Sequence, residues 1–245
     1  MRSLKTLALR GVNRVELVET PIPRIQEGEI LIRMRVCGIC GTDIEKVRGI
    51  AATPPVLGHE VSGEVAEVGR GVDGFKPRDR VFVHHHVSCG RCHYCLQGSA
   101  TMCKLFTETN IDPGGFSEFF RVPRINVDRG AVLKLPQELG FEEATFIEPL
   151  GCCLRSLGRY GAKPGWSVVV VGCGPMGLLL VKCLKTLGTS TIVGIDPLDY
   201  RLAFAERMGV EMAVNPRKVN AAEAVRKATN GRGADLVIVA TGSEE

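Results

Sequence analysis

The sequence lacks any apolar segment that approaches the roughly 20 residues needed to cross a bilayer. Its N-terminus places charge at Arg2 and Lys5, too early for the apolar core of a signal peptide. It also lacks a strong charge excess, because it contains 31 Lys and Arg residues and 27 Asp and Glu residues, which gives a net charge of +4. That balance does not favour nucleic-acid binding. We therefore expect a cytoplasmic protein that binds neither membranes nor nucleic acid.

The 245-residue chain has no internal repeat, and its composition is that of an ordinary globular protein with one large or two smaller domains. Short alternating strands and glycine turns in the first part, such as those at 30–36 and 61–68, predict a small, partly closed β-barrel. From Val168 onward, buried apolar strands alternate with helices, which predicts a parallel, doubly wound sheet. We predict an α/β protein with domains at 1–155 and 156–245.

Histidine is also scarce, since the chain has only five, and His59 alone lies outside the block from His84 to His93. It follows the cysteine-containing segment Cys37–Asp43 and directly precedes Glu60. Thiolate, imidazole and carboxylate are ligands that a catalytic zinc ion takes, with one position left open. A single Cys and a single His are more often core or surface residues. The segments that follow favour the metal.

Four cysteines crowd into one short stretch with the spacing C-x2-C-x2-C-x7-C: Cys89, Cys92, Cys95 and Cys103. Four thiolates close a tetrahedron with no open position, which predicts a structural zinc site in a lobe at about 86–106. An iron–sulfur cluster is the alternative, but the segment lacks the Cys-Pro and the second cluster motif of ferredoxins. We interpret His84, His85 and His86, just before the lobe, as solvated histidines at a strand end.

A second motif, G-x-G-x-x-G, is formed by Gly172, Gly174 and Gly177 between a predicted buried strand and a helix. The glycines permit a tight turn, close approach of a pyrophosphate and close helix–strand packing. Asp196 ends the next strand, where a carboxylate binds ribose hydroxyls and repels a 2′-phosphate, so NAD is favoured over NADP. A helix N-cap is a second interpretation of Asp196. Arg201 could cover the adenine or simply lie on a helix surface.

Taken in this order, the motifs resemble those of the zinc-dependent medium-chain alcohol dehydrogenases, from near Leu7 to Gly242. The segments Cys37–Asp43, Gly58–Glu60 and Glu148–Cys153, together with Gly114–Phe119, are most similar to the polyol (L-iditol and sorbitol) dehydrogenases, with threonine 3-dehydrogenases close by. The resemblance implies a GroES-like β-barrel catalytic domain followed by a Rossmann sheet. That sheet is expected to be incomplete, since such enzymes continue beyond the position of Glu245.

Individual roles also follow from the resemblance. Cys40 and His59 would bind the catalytic zinc, and Glu60 would be a third ligand that exchanges with water. Glu148 would place a carboxylate beside the metal, either as a zinc ligand or holding the zinc-bound water. Thr42 would carry the substrate proton outward. The expected cofactor contacts are Gly172, Gly174, Met176, Gly177, Asp196 and Arg201. The cysteines assigned to packing rather than to zinc are Cys37, Cys152, Cys153, Cys173 and Cys183.

The implied reaction is oxidation of a secondary alcohol, a polyol such as L-iditol or sorbitol, to the ketone with hydride transfer to NAD. L-threonine 3-dehydrogenase is the alternative substrate assignment, and a non-catalytic zinc- and nucleotide-binding fragment is the alternative of another class. A homo-oligomer is expected for a full-length form.

The sequence departs from the family pattern at three positions. Glu45 stands where many relatives carry a relay histidine, and Lys46 stands where sorbitol-specific relatives carry an aromatic substrate contact. Arg78 replaces the usual glycine before Asp79.

Overall fold

A computed structural model describes residues 3–50 and 56–242. The chain forms two compact units, Met1–Glu148 and Pro149–Glu245. The domain boundary predicted after residue 155 lies a few residues further along, within a helix that runs from Ile147 to Tyr160. Among the described residues, no helix is both long and apolar enough to cross a membrane.

The first unit contains a hairpin and a five-stranded antiparallel sheet with short helices in its connections. The strands are β1 (Ser3–Gly11), β2 (Arg14–Pro21), β3 (Ile30–Gly38), β4 (Glu60–Val68), β5 (Arg80–Val83), β6 (Phe119–Val122) and β7 (Val132–Lys134). The helices are α1 (Gly41–Val47), α2 (His93–Leu96), α3 (Lys104–Glu108), α4 (Arg124–Asp128) and α5 (Phe141–Ala144). The hairpin pairs β1 with β2, and the sheet order is β6-β3-β4-β5-β7.

Alternating side chains of the central strands build the core of this unit. Ile30 and Ile32 of β3 are fully buried together with Val61 of β4 and Phe120 of β6. Because side chains alternate across a strand, burying this face fixes the register between β3 and β4. In that register Gly38, at the end of β3, lies opposite Glu60, at the start of β4. Two sequence motifs that are far apart in the chain are thereby brought side by side.

The second unit alternates strands and helices, and its four strands form a parallel sheet in the order β10-β9-β8-β11. The strands are β8 (Ser167–Val171), β9 (Thr191–Ile195), β10 (Met212–Val214) and β11 (Leu236–Val239). The helices are α6 (Ile147–Tyr160), α7 (Pro175–Leu187), α8 (Asp199–Met208) and α9 (Ala221–Ala228). The predicted α/β class, with antiparallel strands first and a doubly wound parallel sheet second, is confirmed.

Two features differ from the sequence predictions. Helix α6 was not expected, because its sequence contains Pro149 and two glycines; Pro149 lies in the first turn, where proline is tolerated. Cys153 and Leu157, four residues apart, are buried on one face of this helix. Cys152 lies on another face and is exposed, so its assignment to packing was wrong. Cys173 and Cys183 are buried as predicted.

The departure at Arg78 has a structural consequence, because this residue adopts a left-handed backbone conformation with φ of 72°. A side chain with a Cβ is strained there, and glycine is not. The turn is nevertheless held together by bonds that do not involve the Arg78 side chain. The Arg78 amide donates to Val65, and the Asp79 carboxylate accepts from the Lys76 amide and pairs with Lys134.

We predict that Arg78→Gly raises the free energy of unfolding by about 1 kcal/mol relative to Arg78→Ala, because only glycine relieves the left-handed strain. Arg78→Ala is the matched control, since it removes the same side chain and keeps the Cβ. Urea denaturation of the three proteins measures the difference. Equal stability of the two variants would contradict the prediction.

Candidate metal centre and nucleotide-binding turn

Three side chains predicted as zinc ligands converge at the ends of β3 and β4. One ligand atom each from Cys40, His59 and Glu60 lies within 4.8 Å of the others. Cys40 is the N-cap of α1, His59 directly precedes β4, and Glu60 is the first residue of β4. A metal ion at about 2.0–2.3 Å from each atom suits this spacing, and a mixed sulfur, nitrogen and oxygen donor set with an open position is typical of catalytic zinc. The residues present fit the ion.

The buried carboxylate of Asp43 holds this group together. Its Oδ2 accepts a hydrogen bond from the Cys40 amide at 3.1 Å, and its Oδ1 accepts one from the Gly58 amide at 2.9 Å. The same Oδ1 lies 3.5 Å from His59 Nδ1. A carboxylate at one ring nitrogen orients the imidazole and leaves Nε2 available to a metal. Asp43 thus links the cysteine motif to the Gly-His-Glu motif.

The electrostatics of the site follow from burial and from these contacts. Burial disfavours a charged His59, but bonds to Asp43 and Cys40 outweigh it and raise the pKa of His59 to about 10. Burial would also raise the pKa of Asp43, yet the hydrogen bonds from His59, Gly58 and Cys40 hold it below its ordinary value. A proton on His59 therefore occupies the metal-free site, and metal binding must displace it.

The carboxyl groups of Glu60 and Glu148 are close enough to affect each other. Burial raises the pKa of Glu60, protonated His59 opposes that shift, and the Glu148 charge adds to it. Glu148 lies in the first turn of α6 and is outside the three-residue ligand group. The structure therefore brings Cys40, His59 and Glu60 together as one group and leaves Glu148 beside it.

Thr42 and Cys37 also lie next to the group. The Thr42 hydroxyl is 3.7 Å from Cys40 Sγ, on the exposed first turn of α1. Burial, with the charges of Asp43 and Glu60, raises the pKa of Cys37 to about 12, so that this residue stays a neutral thiol. Gly38 has a steric role that the sequence did not reveal, because an added Cβ would overlap the Glu60 carboxylate.

The three histidines before the lobe are partly buried, so the prediction that they are solvated was wrong. The His85 ring packs against that of His86, with centroids 3.9 Å apart, and against that of the ligand candidate His59 at 4.8 Å. Phe106 of α3 covers His86 at 5.0 Å. The lobe that shields them folds back from later in the chain, which a strand-end position in sequence does not show.

The four cysteines of the lobe form the second group with metal-ligand spacing. Sγ of Cys95 lies 3.9 Å from that of Cys89 and 3.5 Å from that of Cys92. Four sulfurs at about 2.3 Å from one zinc ion would be roughly 3.8 Å apart, so the arrangement fits a closed tetrathiolate site. Amide groups of Arg91 and Cys92 donate to Cys89 and lower its pKa to about 6, which favours the metal-binding thiolate.

The glycine turn in the second unit has the shape expected of a dinucleotide site. Gly172 has a φ of 92°, and a Cβ at Gly177 would overlap the Gly172 carbonyl oxygen, so both positions require glycine. Among the described residues, the nearest atom to a Cβ at Gly174 would be Nη1 of Arg201 at 3.9 Å. No described residue therefore requires a glycine at position 174 for steric reasons. Gly174 lies at the N-terminus of α7, where amides and the helix dipole favour a phosphate.

Asp196 and Arg201 lie next to this turn. Asp196 is only 2% exposed, and its carboxylate accepts hydrogen bonds from the amides of Cys173 and Leu198, both at 2.9 Å. Nη1 of Arg201 is 3.5 Å from Asp196 Oδ2. Met176, at the start of α7, is exposed. The turn, Asp196 and Arg201 therefore form one connected group.

Comparisons with known proteins agree with both motifs. Residues 26–137 match the alcohol dehydrogenase GroES-like domain, and residues 175–245 match the zinc-binding dehydrogenase family. The chain belongs to the zinc-binding dehydrogenase family. The predicted GroES-like and Rossmann-type organisation, and membership of a family of zinc-dependent oxidoreductases, are thereby confirmed.

Among curated relatives, the chain is 33% identical over 243 residues to a sorbitol dehydrogenase of Bacillus subtilis, covering 96% of this chain and 67% of the relative. It is 36% identical over 233 residues to an L-threonine 3-dehydrogenase of Bacillus velezensis, covering 92% and 66%. A solved zinc-binding dehydrogenase from Sinorhizobium meliloti bound to NADP has a TM-score of 0.89 and 31% identity, with 99% and 71% covered. The chain spans about two thirds of the length of these proteins.

We predict that Asp43→Asn weakens zinc binding at Cys40 and His59 by about tenfold to a hundredfold, because the neutral amide no longer orients and polarises the imidazole. The four-cysteine site should keep its zinc. Chelator competition with metal analysis measures both sites. Asp73→Asn, which removes an exposed carboxylate, is the control. Equal zinc retention in both variants would show that Asp43 does not support the metal.

Proposed function

We propose that this chain catalyses the zinc-dependent oxidation of a secondary alcohol, of the polyol type, to a ketone, with NAD as hydride acceptor. The convergence of Cys40, His59 and Glu60 on one point carries this proposal. A purely structural metal site would use a closed ligand set such as that of the cysteine lobe. Three mixed ligands next to a hydroxyl group and a second carboxylate suit an ion that also has to bind substrate.

Cys40, His59 and Glu60 would hold the catalytic ion, and Glu148 would be an alternative oxygen ligand. Zinc, when bound there, supplies a Lewis acid that polarises an alcohol oxygen and lowers its pKa. Asp43 keeps His59 in the orientation needed for binding. The four cysteines of the lobe would hold the structural ion.

The substrate proton requires a path out of the site, and Thr42 would begin that path. Its hydroxyl can accept a proton from the substrate side and donate its own outward. Thr42 is exposed on the first turn of α1, and the exposed carboxylate of Glu45 follows on the same helix. Thr42 would thus pass the proton toward solvent, with Glu45 in the position of the relay histidine.

In the second unit, Gly172, Gly174 and Gly177 would form the cradle for the pyrophosphate of NAD, which supplies the hydride acceptor when bound. Asp196 would face the adenosine ribose, and Arg201 would cover the adenine. The Asp196 charge would repel a 2′-phosphate, which supports NAD. A related solved structure contains NADP, so the preference of this chain for NAD over NADP has to be measured.

L-threonine 3-dehydrogenase activity is the second candidate. The 36% identity to an enzyme of that name supports it as well as the sorbitol dehydrogenase match supports a polyol. Both reactions oxidise a secondary alcohol and would use the same residues. They differ in the groups attached to the carbinol carbon.

We predict two zinc ions per chain and NADH formation with L-iditol, sorbitol or L-threonine. Cys40→Ser should abolish turnover and leave one zinc, because the serine hydroxyl is a poor substitute for a thiolate ligand. Metal analysis and absorbance of NADH measure these outcomes. The matched variant Cys103→Ser should instead lose the zinc ion of the cysteine lobe.

One zinc per wild-type chain, with no turnover on any alcohol, would instead indicate a non-catalytic binding module. Loss of both ions in Cys40→Ser would show that the two sites are not independent.

We also predict that Asp196→Asn lowers the preference for NAD over NADP about tenfold, because the charge that repels a 2′-phosphate is removed. The ratio of the two dissociation constants, measured by nucleotide titration, reports this change. Asp199→Asn is the control, since it removes an exposed carboxylate from the start of α8. An unchanged ratio would exclude Asp196 as the discriminating residue.

A further inference from the structure

The hairpin of β1 and β2 exposes an apolar surface, which we call the hairpin face. Leu7 lies directly opposite Leu17, and Leu9 lies directly opposite Val15. Opposite residues of an antiparallel pair share a face, as do residues two apart along a strand, so these four side chains form one patch. Leu7, Val15 and Leu17 are 37%, 39% and 65% exposed, and Leu9 is partly buried. Contiguous aliphatic side chains at a surface indicate a contact site for another molecule.

The hairpin that carries this face is fixed to the first unit. On the opposite side of the hairpin, Leu4 is only 1% exposed. The outer edge of β1 is paired as well, because the Leu7 amide donates to the Phe116 carbonyl at 3.0 Å and the Glu118 amide donates to the Lys5 carbonyl at 3.1 Å. The hairpin face is therefore held in place before any partner binds.

The charges at one end of the hairpin face indicate what covers it. Arg10 and Arg14 both pair with Glu16, at 3.5 and 2.7 Å. The remaining charged side chains of the hairpin are Lys5 and Glu19, which lie directly opposite each other on the hairpin face. Both are exposed, and within residues 3–50 and 56–242 neither forms an ion pair. The hairpin face thus has an apolar centre with one free positive and one free negative charge at the same level.

We propose that the hairpin face binds the same face of a second copy of this chain. A two-fold axis that runs between the two faces, parallel to the strands, places β1 of each copy on β2 of the other. Because Lys5 and Glu19 lie at the same level, Lys5 of each copy meets the partner's Glu19. By the same operation, the apolar side chains of β1 pack on those of the partner's β2. This inference does not depend on the proposed alcohol oxidation.

Self-complementarity is the reason for assigning a second copy rather than an unrelated protein. An isologous contact requires that each group of the surface meets its own complement after a two-fold rotation. The opposite charges of Lys5 and Glu19 satisfy that requirement, and aliphatic side chains satisfy it for one another. Two sheets that pack face to face in this way lie about 10 Å apart, with their inner side chains interdigitated.

Sedimentation velocity of the zinc-loaded, 245-residue chain over a range of concentrations tests the contact. We expect the wild type to associate. Leu17→Glu should raise the dissociation constant at least about tenfold, because it places an unpaired charge in the apolar centre of the contact. Val219→Glu is the matched control, since it makes the same kind of change at a residue of the second unit that is 53% exposed, and it should leave the association unchanged. Zinc content and circular dichroism report whether each variant is folded.

A pair of charge reversals distinguishes contact between copies from effects within one hairpin. Lys5→Glu and Glu19→Lys each place like charges against each other across the two-fold axis, so each variant alone should associate about tenfold or more weakly than the wild type. In an equimolar mixture of the two variants, opposite charges meet at both positions of a mixed dimer. Association should then return to near the wild-type level. Mixing cannot relieve repulsion within one chain, so this recovery is specific to contact between copies.

A wild type that remains monomeric at every concentration would overturn the inference and would leave the hairpin face to a different partner. An unchanged dissociation constant in folded Leu17→Glu would also overturn it. So would a mixture of the two charge variants that associates no more tightly than either variant alone.

Discussion

The pairing of β3 with β4 is the constraint on which the candidate metal centre depends. The end of one strand carries Cys37 and Gly38, His59 directly precedes the other strand, and Glu60 begins it. Core burial of the alternate residues specifies the register, and a slip of one residue would turn Glu60 to the opposite face of the sheet. Gly38 opposite Glu60 provides the space for the carboxylate. The sheet core and the metal site are therefore specified by the same set of contacts.

Much of the two binding motifs could be predicted because each is local in sequence. The cysteine spacing defines a tetrathiolate site within one lobe, and the glycine turn lies between one strand and the next helix. The steric contacts at Gly172 and Gly177 show why that pattern is so informative. A Cβ at Gly177 would overlap the Gly172 carbonyl oxygen, and a Cβ at Gly172 would lie 2.9 Å from the Ala240 carbonyl oxygen. The short alternating strands of the first part predicted its β-sheet structure. The apolar strands that alternate with helices in the second part likewise predicted a parallel sheet.

The remaining features depend on contacts between distant segments, which the sequence pattern does not contain. Asp43 could be seen only as part of a motif, and its role emerges from hydrogen bonds to Gly58 and proximity to His59. The histidine at position 85 was misjudged because the groups that bury it come from elsewhere in the chain. Arg78 shows the converse. Its left-handed backbone is tolerated because neighbouring backbone and Asp79 contacts determine the turn.

Asp196 couples cofactor choice to the shape of the nucleotide-binding turn. Its carboxylate accepts the amides of Cys173, inside the glycine turn, and of Leu198, at the start of α8. The residue proposed to read the ribose therefore also fixes the turn that would hold the pyrophosphate. Removing its side chain would disturb both functions, whereas an amide keeps one carbonyl acceptor and loses the charge together with one of the two hydrogen bonds from backbone amides. Asp196→Asn therefore removes the discriminating charge, while Arg201, the glycines and one of the two backbone bonds remain in place.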